Sequence, residues 1–160
     1  MGAVTKPRLL PGRDETEVAS VEEALARVRA SGGRATPSKR ILLEILFGTD
    51  AHLSAEDLAN AVKERAPDVH LSTVYRNLED LQEIGIIAHT HLGHGPSTYQ
   101  LASHAHAHFI CDECGARIEA PDELFTGLAG AAKRSLGFTI DPHHFAILGR
   151  CAACAARTSA

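Results

Sequence analysis

From Val21 onward, apolar residues recur at three- and four-residue spacings, the period of helices with one buried face. Val21, Ala24, Leu25 and Val28 make the first stripe, opened by a Ser20 cap with Glu23 three residues later and closed at Gly32-Gly33. Thr36, followed by Pro37, caps a second helix carrying Ile41, Leu42, Ile45 and Leu46 as far as Gly48. Ser54 caps a third with Leu58, Ala61 and Val62, broken at Pro67. A Ser72 cap begins a fourth with Val74, Leu78, Leu81 and Ile84, ending at Gly85. Residues 1 to 20 show no apolar period among Pro7, Pro11, Gly12 and charges, which predicts a disordered tail; the competing reading is a basic arm through Lys6, Arg8 and Arg13.

After Gly85 the period shortens. Ile86 to His91 and Ser97 to Leu101, separated by Gly93-His-Gly-Pro96, predict a β-hairpin following the fourth helix. Helices followed by a hairpin are the order of a winged helix-turn-helix, assigned to residues 21–101, with Ala102 and Ser103 as hinge. Residues 104–160 form a second unit: short strands at 108–111 and 117–120, a helix from Pro121 through Leu124, Leu128 and Ala132 to Gly137, and a returning strand at 145–148. The expected class is α+β.

The chemistry of the second unit is set by Cys111-Asp-Glu-Cys114 and Cys151-Ala-Ala-Cys154. Two such knuckles supply four thiolates, the full complement of a closed structural zinc site, and would pin the last strand to the first. No apolar run approaches the roughly 20 residues that cross a bilayer, and the first 20 residues lack a secretory apolar segment, so no membrane partner and a cytoplasmic location are expected. There thiols stay reduced and paired knuckles read as metal ligands before disulfides. His104, His106 and His108 alternate, so an extended segment would put all three imidazoles on one side, beside the knuckles, as ligands of a second metal.

Leu71-Ser-Thr-Val-Tyr-Arg76, with Thr36-Pro-Ser-Lys-Arg40, His52-Leu-Ser-Ala-Glu-Asp57, the histidine run and both knuckles, closely resembles the ferric uptake regulator (Fur) family of bacterial metal-dependent repressors over residues 21 to 154. The resemblance implies a homodimer that joins a winged helix to a C-terminal α/β dimerisation domain and grips a palindromic operator in double-stranded DNA when regulatory metal is bound. It adds His52 to His104, His106 and His108 as an inter-domain regulatory site. His89-Thr-His-Leu-Gly-His-Gly95 and the segment from His143 to Cys151 are similar to the family's nickel-responsive branch, which implies a nickel site of His89, His91 and His144. Imidazole-only donor sets suit Ni, Zn or Cu, so nickel or another divalent transition metal is the expected regulator beside structural zinc. Ala105 and Ala107 stand where iron and peroxide sensors commonly place an acidic ligand, Gln100 where a Glu is often found, and no cysteine lies outside the knuckles as in zinc-sensing relatives. Zinc-, iron- or peroxide-responsive regulation is the alternative within the family.

Ser72, Thr73, Tyr75 and Arg76 cluster near the start of the fourth helix, the end of a recognition helix that meets bases, and Arg34, Lys39 and Arg40 are the expected phosphate contacts. Against nucleic acid stands the charge: -4 formally for the chain, with eight basic and eleven acidic residues in 21–100. Any basic surface must be local. A small metal-dependent hydrolase would need a general base beside an open metal, for which only Glu119 and Asp141 lie near the histidines, in no catalytic signature. A zinc-ribbon adaptor binding only proteins leaves Thr73-Val-Tyr-Arg76 unexplained. Neither an enzyme nor a small-molecule substrate is expected.

Overall fold

The structure, a computed structural model, describes residues 17–91, 95–140 and 146–158. The expected tail up to residue 16, together with His94, His143 and His144, lies outside them. Residues 17–20, expected to belong to that tail, are described and packed: Val18 is buried in the main core, and the Ala19 N–H donates to the Glu23 carboxylate at 2.9 Å.

Three of the four expected caps close as their chemistry dictates. Ser20 accepts from the Glu23 N–H at the head of α1 (Val21–Ala30), and Thr36 from the Lys39 N–H at the head of α2 (Pro37–Phe47). Ser54 and Asp57 exchange both bonds of a capping box before α3 (Ala55–Arg65). The fourth cap differs. In α4 (Leu71–Glu83) the N-cap is His70, in extended conformation and with no side-chain bond, so Ser72 is already helical and exposed. Helix α4 ends in a Schellman turn, the Ile86 N–H reaching the Leu81 carbonyl at 2.9 Å across Gly85, whose φ of 73° is open to glycine at no steric cost.

That turn feeds β2 (Ile87–His91), which pairs antiparallel with β3 (Ser97–Leu101) from Ile87↔Leu101 to His91↔Ser97. A two-residue strand unexpected from sequence, β1 (Leu53–Ser54), pairs with the other edge of β3 and gives the order β1-β3-β2. The helices pack on this sheet around Leu25, Leu42, Leu43, Leu46, Leu58, Leu78, Leu81, Ile86 and Ile87. Within α2 the rotation differs from the expected stripe, because Leu43 is fully buried while Ile41 and Ile45 are only partly covered.

A 3-10 turn (Ala102–His104) replaces the plain hinge, and Ala88, Ala102 and Ala105 pack together there. Beyond it, β4 (His108–Cys111) pairs antiparallel with β5 (Arg117–Glu119) and parallel with β6 (Ala146–Gly149), in the order β5-β4-β6. A parallel pair requires a long crossover, and α5 (Asp122–Leu136) lies in it, stopped by Gly137 at φ 64°. A short α6 (Ala152–Thr158), not foreseen from its alanine-rich sequence, carries Cys154. The core here is small, Ala107, Ala120 and Phe125 with Phe109 and Ile147 against them, while Leu124, Leu128 and Leu136 of α5 are exposed. No helix among the described residues is long and apolar enough to cross a membrane.

Lys39 is buried between α2 and α4, its ammonium 2.6 Å from Asp80, and the Asn77 amide donates to Ser38 at 3.1 Å beside it. These bonds fix how α4 lies on α2. Asp80→Ala would strand a desolvated ammonium and is expected to cost about 2 kcal/mol, less than a fully buried pair because Asp80 is itself half exposed. Urea unfolding checks this, and Lys39→Met combined with Asp80→Ala is expected to recover most of the loss.

Candidate metal centres and nucleic-acid face

The β1 strand places His52, the residue before it, at the edge of the first sheet, against the chain entering β4. There the ligand atoms of His52, His106 and His108 lie within 4.8 Å of one another. The rings of His52 stand edge-on to both others, with centroids at 5.2 and 4.7 Å, and those of His106 and His108 are 4.4 Å apart. His52 Nε2, His106 Nε2 and His108 Nδ1 are buried with no hydrogen-bond partner among the described residues. Three converging orphan nitrogens are costly unless something binds them, and a divalent cation fits that need. His106 Nδ1 lies 2.7 Å from the His104 carbonyl, which can only accept, so the proton sits on Nδ1 and Nε2 is left bare. Glu119 Oε1 is 3.4 Å from that Nε2.

His104 itself does not join this cluster. The 3-10 turn breaks the alternation that an extended strand would keep, and its ring is half exposed, 3.6 Å from Asp50. Burial, reinforced by the neighbouring imidazoles, lowers the proton affinity of His52 and takes His108 down to about 4.

Cys111, Cys114, Cys151 and Cys154 also gather, all four sulfurs within 4.8 Å. Cys111 and Cys114 flank the tight turn after β4, and the parallel pairing of β4 with β6 delivers Cys151 and Cys154 opposite them. Sγ of Cys114 and Cys151 are 3.7 Å apart, against an edge of about 3.8 Å for a tetrahedron with zinc–sulfur bonds of about 2.3 Å. All four are free thiols, and the donor set fits zinc. Backbone N–H donation, foremost from Cys151, holds Cys111 down to about 6, whereas burial raises Cys154, whose sulfur accepts from Arg157 at 2.7 Å.

His89 and His91 share a face of β2, their rings 5.4 Å apart and perpendicular. His89 Nδ1 meets Gln82 Oε1 of α4 at 2.9 Å, and His91 Nδ1 meets Ser97 Oγ at 3.2 Å. Sequence reasoning singled out the histidines but missed Gln82, which only the packing of α4 on β2 brings near.

On α4, Ser72, Tyr75 and Arg76 are exposed and Thr73 is partly so. Arg76 and Thr73 line a cleft with Arg34, Lys39 and Arg27 between α4 and the end of α1. Two of the three expected phosphate contacts are committed within the chain: Lys39 to Asp80, and Arg40 to Glu22 through two bonds of 2.5 and 3.2 Å.

A helical unit closed by an antiparallel sheet, touching through imidazoles a second sheet that carries four gathered thiols, defines an α+β protein with, among the described residues, two clusters of side chains able to hold a metal ion. Residues 30–148 match the profile of the ferric uptake regulator family, and the chain belongs to that family of metal-dependent regulators. It is 33% identical over 139 residues to the ferric uptake regulation protein of Bacillus subtilis, covering 84% of this chain and 93% of that one. The peroxide-responsive repressor PerR of Staphylococcus aureus is 28% identical over 134 residues, covering 84% and 90%. Among solved structures, a zinc uptake regulator complexed with zinc and DNA superposes with a TM-score of 0.54 at 28% identity, covering 89% of this chain and all of that one.

Two outcomes follow, the first for the metal-free chain and the second for the zinc-loaded one. His52 and His108 hold protons less tightly folded than unfolded, so their contribution to stability is complete above about pH 6.5 and is lost as pH falls toward about 4. For His108 alone the loss is on the order of 2–3 kcal/mol, read from urea midpoints between pH 7 and pH 4. Cys111→Ser is expected to release zinc and unfold or dissociate the second unit, measured by metal content and by the exchange of β4 amides.

Proposed function

We propose that this chain is a DNA-binding transcriptional repressor whose operator affinity is set by a divalent transition metal, nickel foremost, and that it controls genes of metal uptake and homeostasis. The observation that carries the reading is the meeting of His52, next to β1, with His106 and His108 at the entry to β4. A cation there would tie the helical unit to the second sheet and fix the angle between them, so that metal concentration becomes operator fit. In this reading residues 21–101 are a winged helix with α4 in the major groove, Tyr75 and Arg76 reaching bases, Ser72 and Thr73 the backbone, and Arg34 flanking them. The relative complexed with zinc and DNA supports DNA as the partner.

The second unit, from residue 104, is the dimerisation domain. Its small core and the exposed Leu124, Leu128 and Leu136 of α5 and Ile118 of β5 favour burial against a second copy, matching a palindromic operator. The knuckle thiols hold structural zinc. His104, exposed beside the cluster, is a further ligand only if the 3-10 turn rearranges on metal binding. Nickel is favoured by the paired His89 and His91 on β2, with His144 as third ligand, since neither the sheet nor DNA contact calls for two imidazoles at that place.

Gel-shift titration on a palindromic operator at controlled free Ni, Zn, Fe and Mn tests the reading. Nickel is expected to tighten binding at least tenfold, and His89→Ala or His144→Ala to abolish that gain while the dimer stays folded. DNA binding that ignores every metal sinks the proposal, and an unchanged nickel response in His89→Ala removes nickel from it.

A further inference from the structure

The side chain of Gln82, on α4, meets a proposed ligand. It lies in the helix's last turn, two turns after Tyr75 and therefore on the same face, and its amide oxygen is 2.9 Å from His89 Nδ1. An amide oxygen only accepts, so the imidazole proton is held on Nδ1 and Nε2 is left unprotonated, the tautomer that binds a cation. His91 has no such constraint, because its Nδ1 faces the Ser97 hydroxyl, which can donate or accept. The path from His89 back to α4 is also short and stiff: β2 leaves the helix through the Schellman turn at Gly85, and Leu81 on one side of Gln82 is fully buried.

We propose that Gln82 is the positioning residue of the wing metal site: it holds His89 in the metal-binding tautomer and links occupation of that site to the recognition helix. The proposal rests on the reading of His89 as a nickel ligand. A cation on Nε2 polarises the Nδ1–H bond and strengthens its hold on Gln82 Oε1, so a loaded site stiffens the end of α4 against β2. By linkage, whatever steadies α4 for DNA steadies the imidazole for metal to the same degree.

The test uses full-length protein and three variants, Gln82→Glu, Gln82→Ala and His89→Ala, with thermal unfolding as control for folding. Nitrogen NMR of the imidazoles in metal-free protein reads the tautomer, chelator competition reads Ni(II) affinity, and gel shift reads the ratio of operator affinities with and without nickel. Gln82→Ala is expected to mix the His89 tautomers, weaken nickel about 10- to 100-fold and shrink the operator ratio. Gln82→Glu, an acceptor only, is expected to keep the Nδ1–H form and bind nickel at least as tightly as the parent. A Gln82→Ala protein with parental tautomer and nickel affinity overturns the inference, as does a Gln82→Glu protein weakened as much as Gln82→Ala. His89→Ala separates the levels: if it leaves nickel binding intact, the nickel reading itself has failed, whereas if it abolishes binding that Gln82→Ala spares, only the role of Gln82 has.

Discussion

His52, His106 and His108 place three buried imidazole nitrogens, unsatisfied by the rest of the described chain, where the edge of one sheet meets the entry to the other. Polar atoms taken out of water without hydrogen bonds cost on the order of 1–3 kcal/mol each, so three of them collected at one point support the proposed reading of that point as a ligand site. The site depends on β1, a strand of two residues, to hold His52 in place, and on the 3-10 turn that redirects the chain so that His106 and His108 arrive while His104 is left outside. The small core behind β4 would not by itself impose that geometry.

What could be read from the sequence is what short-range chemistry decides. Ser20, Thr36 and Ser54 cap their helices because a hydroxyl three residues before an unpaired N–H is a local arrangement, and the strands on either side of the Gly93-His-Gly-Pro96 break pair antiparallel as a hairpin does. The knuckles were legible for the same reason. Long-range packing hid the rest. Lys39 reads as a phosphate contact until α4 brings Asp80, 41 residues away, to its ammonium. Ser72 reads as a cap because its side chain suits one, yet the N-cap lies two residues earlier at His70, with backbone geometry alone. Gln82 carries no motif and acquires meaning only from the register of β2 against α4.

The acidic balance of residues 21–100 also changes character in three dimensions. Glu22, Glu44 and Asp80 are engaged with Arg40, Arg65 and Lys39, so part of the charge of both signs is spent inside the helical unit. Arg34 and Arg76 remain at the cleft beside α4. In the proposed reading, a DNA face with so few cations among the described residues releases few counterions from them, which keeps that part of the affinity shallow in salt and low on arbitrary sequence. Specific binding would then draw on exact placement of two helices across an operator, the quantity that a change of domain angle would control in that reading.

The two imidazole groups are not independent in this respect, because they flank one small sheet. His52 precedes β1, His89 and His91 lie on β2, and β3 hydrogen-bonds to both. Ser54, within β1, also caps α3, and β2 is fastened to α4 through Gly85 and Gln82. In the proposed reading, a cation at His52 fixes how this sheet sits on the second unit, while one at His89 fixes how α4 sits on the sheet. Operator binding needs both angles at once, so each site shifts the conformational population in the same direction and each tenfold gain in affinity is worth about 1.4 kcal/mol of differential metal binding. In that reading either site alone would leave one angle free to average over unproductive values, which would be the physical reason for a short chain to carry two.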